Sequence, residues 1–165
     1  MEVTGSYAEE LNNLLTGKRF NRISRALDML CLFIGDDHTF ISRGKEIPVS
    51  EFAFHFQTQW RFTDGCSIIL GSRDIYEPFS HTAAADWKYD IIGREEEESS
   101  VFDVNAKKLN SAMKNAVVTD ISVSPFGDVN IIFSDGTHFQ SFTPSSRRDE
   151  EWRLIDYKRG NHMIL

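Results

Sequence analysis

Residues 52–62, FAFHFQTQWRF, alternate without a break. Phe52, Phe54, Phe56, Thr58, Trp60 and Phe62 share one parity; Ala53, His55, Gln57, Gln59 and Arg61 share the other. Successive side chains of a strand point to opposite faces, so the segment predicts one half-buried strand with an aromatic inner face. So many large rings on one side of one strand need a second layer to cover them, which points to a sheet-based domain with a substantial core.

Hairpin signals supply the rest of the sheet. Thr63-Asp64-Gly65 leads into a strand at Cys66–Leu70, and Phe133-Ser134-Asp135-Gly136-Thr137 repeats that chemistry between VNIIF and THFQSF. A three-residue loop ending in Gly suits a type I turn followed by a left-handed Gly bulge. It predicts Phe62 opposite Cys66 and Trp60 opposite Ile68 in the first hairpin. In the second it predicts Phe133 opposite Thr137 and Ile131 opposite Phe139. Residues 20–35 read as one long strand or two short ones, with Met29–Ile34 apolar on both parities as in a central strand covered on both sides. Asp28 marks a bulge or strand end there. Gly35-Asp36-Asp37, Arg43-Gly44-Lys45 and Pro48 read as a loop. VVTDISVS, EWRLIDY and HMIL are strand-like, Trp87, Tyr89 and Ile91 hint at a further short strand, and the acidic run Glu95–Glu98 reads as a solvated loop.

Helical periodicity occurs in two places. Ser6 and Glu9 have capping-box spacing, Tyr7, Leu11, Leu14 and Leu15 form one apolar stripe, and Gly17 suits a left-handed C-cap, so a helix is expected over about 7–16. A second is expected near 103–115, with Asp103 as N-cap and Ala106, Leu109, Met113 and Ala116 on one face. Two helices with seven to nine hairpin-linked strands make an α+β fold of mostly antiparallel sheet. At 165 residues the chain is one domain, 1–165.

The net charge of −7 argues against a nucleic-acid binder, because Lys18-Arg19, Arg22 and Arg25 are interrupted by apolar residues and Arg147-Arg148 is followed directly by Asp149-Glu150-Glu151. An acidic balance serves solubility and equally suits docking onto a basic protein surface. Cys31 and Cys66 both lie against strand-forming apolar residues and are expected to be reduced and buried, which suits a cytoplasmic location. No signal-peptide pattern opens the chain, and the longest apolar run, Met29–Ile34, is far too short to cross a bilayer.

Catalytic patterns are sparse. His38, His55, His81, His138 and His162 have neither i, i+4 spacing nor a Cys partner at zinc-ligand spacing, so no metal and no cofactor is expected. Asp74 and Glu77 in GSRDIYEP offer an acid and a base, but Arg73 and Pro78 beside them also fit an ordinary turn. The most distinctive surface is the polar face of the aromatic strand, His55, Gln57, Gln59 and Arg61, a row stepping about 7 Å along a rigid strand with Asp74 nearby. Such a row serves as a recognition surface, or simply as the solvated side of an antiparallel sheet.

FAFHFQTQWRF followed by GCSIILGSRDIYEP resembles a strand-turn-strand segment of small, uncharacterised bacterial α+β proteins, through His55, Trp60, Arg61, Gly71, Ser72, Arg73 and Asp74. GDVNIIFSDGTHFQSFTP and EEWRLIDY are similar to the closing hairpin and Trp strand of such proteins. Some proteins of this kind are immunity proteins, which bind and neutralise a partner toxin. The resemblance covers about half the chain, matches nothing over 79–116 and brings no catalytic residues with it. It implies a non-catalytic protein-binding module with a protein partner; the binding surface expected from the alternation is His55, Gln57, Gln59 and Arg61, with Asp74 beside them. The alternative is a small-molecule binder or enzyme with a pocket near His55, Arg61 and Asp74. Self-association into a homo-oligomer through aromatic strands or sheet edges is a further option.

Overall fold

The computed structural model describes residues 5–90, 95, 98–147 and 149–164. Its elements are α1 (Gly5–Leu15), β1 (Phe20–Ala26), β2 (Met29–Ser42), β3 (Lys45–Phe56), β4 (Gln59–Thr63), β5 (Ile68–Gly71), a 3₁₀ turn (Ser72–Tyr76), α2 (Val101–Ala112), β6 (Val118–Val123), β7 (Val129–Phe133), β8 (His138–Phe142), β9 (Trp152–Asp156) and β10 (Asn161–Ile164). Two antiparallel five-stranded sheets result, ordered β1-β2-β3-β9-β10 and β5-β4-β8-β7-β6. The fold is α+β and mostly sheet, with an N-terminal and a mid-chain helix, as the periodicities predict. No helix among the described residues is long and apolar enough to cross a membrane.

The alternating segment 52–62 is two strands in two sheets, not one. Gln57 still donates its backbone N–H toward the β9 side, to the Glu151 carbonyl at 2.9 Å, while the Thr58 hydroxyl donates to the Phe142 carbonyl in the other sheet. The chain therefore changes partners between these two residues. Both sheets face one core, so the side-chain parity survives the corner and hides it. Phe52, Phe54, Phe56, Trp60 and Phe62 are all buried. Phe56 meets Phe139 across the sheets at 4.7 Å between centroids, and Trp60 meets Phe102 of α2 at 5.8 Å. Fully burying each such ring contributes on the order of 1.5–3 kcal/mol. At a second corner β1 adjoins β6 through the Arg19–Val117 bridge, with Phe20 N–H bonded to the Ala116 carbonyl at 2.9 Å.

Several local expectations hold. Leu11 and Leu15 of α1 are buried, Leu14 packs partly against the core, and Gly17 has φ +81°; the side chains of Ser6 and Tyr7 lie outside the described residues. Ile131 opposes Phe139, and Gly136 has φ +88° in the predicted three-residue loop. Residues 20–35 are two strands joined at Leu27-Asp28, so Asp28 is a turn residue. β2 is central, with Leu30, Cys31, Leu32 and Ile34 buried and Phe33 half-buried beneath the Arg22 guanidinium 4.1 Å away.

Other expectations are corrected. In the first Asp-Gly hairpin Phe62 opposes Leu70 and Thr63 opposes Ile68. The Asp64 carboxylate accepts from both Cys66 N–H (2.9 Å) and Ser67 N–H (2.8 Å), which lengthens the loop and puts Cys66 in it, exposed rather than buried. Residues 35–48 are not a loop: after a bulge between Ile34 and Asp37, β2 and β3 continue as a paired ribbon to the Arg43-Gly44 turn. Ser100, not Asp103, caps α2. Its hydroxyl accepts from Asp103 N–H, and Asp103 at the third helical position reaches back to Ser100 N–H. Trp87–Asp90 form no strand, and Ile91, Glu96 and Glu97 lie outside the described residues. The strands number ten among the described residues, above the seven to nine expected.

Candidate functional site

The corner at Gln57-Thr58 separates the polar row that the alternation suggested. His55 faces the outer side of the first sheet, between Cys31 on β2 and Arg153 on β9. Burial foremost, then the positive charges of Arg153 and His162, hold its imidazole below the ordinary histidine pKa, with Glu150 opposing. Arg61 lies on the outer face of the second sheet. Its Nε donates to Gln140 Oε1 at 2.9 Å and its guanidinium sits 5.0 Å from the Phe142 ring centroid. Asp74 lies just beyond β5, where its carboxylate accepts at 2.8 Å from the N–H of Gly71, the register partner of Arg61, and begins the 3₁₀ turn.

Gln57 and Gln59 flank the corner and line an open cleft of about 880 Å³. Asp28 enters it from the β1–β2 turn, Arg73, Tyr76 and Glu77 from the 3₁₀ turn and the residue after it, and Pro144 from beyond β8. A second cleft of about 300 Å³ holds His55 with Glu150, Glu151, Trp152 and Arg153, and Gln57 lines both. The two clefts are therefore neighbours across one residue.

The larger cleft is stiffened from within. Tyr76 donates its hydroxyl to Asp28 Oδ2 at 3.0 Å, and its ring meets Tyr89 edge-on at 4.8 Å. Burial first, then the Asp28 carboxylate, raise the phenol pKa, so Tyr76 remains a donor. Beside Asp28, Leu27 has φ +57° and is 55% exposed. A leucine in left-handed backbone, with its side chain in solvent, is held at a cost that Gly or Asn would avoid. Sequence reasoning missed both Leu27 and Tyr76. Leucine carries no turn signal, and Tyr76 gains its place only when the β1–β2 turn is brought to it.

Among the described residues no group of three or more His, Cys, Asp or Glu could hold a metal ion. Cys31 lies opposite His55, but burial raises its thiol pKa more than the Ser24 hydrogen bond and the Arg22 charge lower it. It is a thiol, not a primed thiolate. Two of the carboxylates in the clefts have partners: Asp28 accepts from Tyr76, and Glu150 pairs with Arg153 at 2.9 Å.

No protein-family model matches the chain, and comparison with curated proteins and with solved structures gives no significant match to either.

Proposed function

We propose that the chain is a non-catalytic protein-binding module, of the bacterial immunity-protein kind and acting in the cytoplasm, that docks a basic segment of its partner across the corner clefts. The observation that carries this reading is a half-exposed Tyr76 that lines one cleft and is anchored on Asp28, whose chain neighbour Leu27 is exposed and held in a costly conformation. Tyrosines fixed in place are effective interface anchors, because little freedom is lost on binding. Asp28, Glu77, Glu150 and Glu151 outnumber Arg73 and Arg153 along the combined lining, so the complementary surface is basic. Gln57 and Gln59, at the junction, supply uncharged hydrogen-bonding groups. Arg61 and Asp74 support neighbouring structure in this reading, while His55 lies at the edge of the contact.

The test is direct. Proteins encoded beside this gene are purified and titrated against the chain by calorimetry. One of them should bind, and its toxicity on expression should be suppressed by co-expression of this chain. Tyr76→Ala should weaken that binding by about 1–2 kcal/mol or more, as for truncation of an interface anchor, and Glu77→Lys should weaken it through charge. Absence of any binder among the neighbours, or a binder indifferent to both substitutions, rejects the proposal.

A further inference from the structure

The first sheet has an extension that the proposed docking clefts do not use. β1 pairs with β2 only as far as Ile34, and β9 pairs with β3 only from Phe52 onward. Beyond those limits, β2 and β3 pair with each other alone, from Asp37–Ser50 to Ser42–Lys45. No strand among the described residues covers the outer edge of β2 past Ile34. Gly35 still donates its N–H to the Arg19 carbonyl and accepts from the Asn21 side-chain amide at its C=O, and beyond it alternate backbone N–H and C=O groups along that edge face solvent, a template for another strand. Ile41 on the same strand is 69% exposed and Ile47 opposite Phe40 is 42% exposed.

Charge along this edge is ordered. Asp36 and Asp37 stand at its base, their side chains 77% and 67% exposed, and Arg43 stands at its tip. Arg43 has φ +51° beside Gly44 at +75°, the two positive angles of a type I′ turn. Asn or Gly would fill the first of these positions with less strain, and a long cation there is unusual.

We propose that this edge pairs with the same edge of a second copy, forming a two-fold dimer. Antiparallel pairing centred on Phe40 sets Asp37 of each copy opposite Arg43 of the other, because the two residues lie equally far from Phe40 on either side. One edge thus carries both signs in positions that complement themselves, which is what an isologous interface requires. Ile41 of each copy comes to lie opposite Thr39 of the other, shielding the most exposed apolar side chain of the ribbon. The Arg19–Asp36 and Arg22–Asp37 pairs, at 3.3 and 3.9 Å, leave both carboxylates largely in solvent and open to a further cation.

Sedimentation across a concentration series, with the full chain, tests this. The wild type should show a concentration-dependent dimer. Asp37→Arg and Arg43→Asp should each weaken dimerisation roughly tenfold or more, since each turns two attractive pairs into repulsive ones. The double variant Asp37→Arg/Arg43→Asp should restore much of the wild-type affinity. Ile41→Lys, at a position outside the core, should also favour monomer, with an unchanged thermal midpoint at concentrations where the wild type is itself monomeric. A wild type that is monomeric at the highest soluble concentrations overturns the proposal. So does a double variant that is no tighter than the single ones, or an Ile41→Lys dimer as tight as wild type.

Discussion

Gly35 lies directly against Glu51: a Cβ built on this glycine falls 2.7 Å from the Glu51 Cβ and 2.9 Å from its Oε2. Gly35 also has φ +92°, which L side chains rarely adopt, and it forms part of the bulge where the β2–β3 ribbon leaves the sheet. The space it frees holds a buried carboxylate that ion-pairs with Lys18 after α1 (2.7 Å) and Lys158 after β9 (2.6 Å). Gly35→Ala should therefore destabilise the fold by about 1–3 kcal/mol, the usual cost of an enforced left-handed residue, with the clash adding to it. Urea denaturation measures this; an unchanged midpoint would show that the bulge relaxes freely.

Another ion pair ties α2 to the first sheet. Arg25 donates from Nε and Nη2 to the two Asp103 oxygens at 2.7 and 2.9 Å, with the arginine side chain only 1% exposed. Burial opposes ionisation of Asp103, yet the Arg25 guanidinium and the Ser100 N–H outweigh it and hold the carboxyl below the usual range. Removing one partner of such a pair leaves a buried charge uncompensated, so Asp103→Asn should cost about 3–5 kcal/mol. A depressed folded pKa contributes stability that is present above the unfolded value of about 3.9 and is lost as pH falls through the folded one. The variant should consequently show a flatter decline in stability below about pH 4 than the wild type.

How far the sequence discloses this molecule depends on where its signals are local. Helix α1, the face of α2 and the Asp135-Gly136 hairpin follow from neighbouring residues and hold. The corner at Gln57-Thr58 was illegible because the aromatic alternation runs through it unbroken, both sheets sharing one core. The first Asp-Gly hairpin slipped because Asp64 spends its carboxylate on two loop N–H groups, a choice that its resemblance to Asp135 conceals. The larger cleft draws on Asp28, Gln57, Tyr76 and Pro144, four separate stretches of chain, so no window of sequence contains it. Of the five residues singled out from the alternation and its surroundings, Gln57 and Gln59 line that cleft, His55 lines its neighbour, and Arg61 and Asp74 stand apart.

His55 gives the fold a mild sensitivity to acid. Its folded pKa is lowered, burial being the main cause, so below the ordinary histidine value of about 6.5 the unfolded chain binds more protons than the folded one. Stability should fall as pH drops from that value toward the lowered folded pKa, and the histidine contribution should level off below it. His55→Gln should remove this slope while leaving the steeper carboxylate transition at lower pH. Thermal midpoints recorded at close pH intervals from neutral downward would show it; an identical slope in both proteins would assign the effect to another group.

Leu27 separates the demands of folding from those of binding. Its backbone is left-handed and its side chain mostly in solvent, so the fold gains little from a leucine there. Asn visits this conformation far more readily, and Leu27→Asn should stabilise the protein by about 1 kcal/mol through relief of strain. For a chain of this size that raises the melting midpoint by about 2–4 °C. If Leu27 is a contact with the basic partner, the same substitution should weaken binding, because an exposed apolar side chain next to Asp28 of the cleft is lost. Stability and affinity would then move in opposite directions, measured by thermal denaturation and calorimetry on one variant. A rise in stability with unchanged affinity would take the β1–β2 turn out of the interface. A fall in stability would mean that the leucine is held there by packing within the fold.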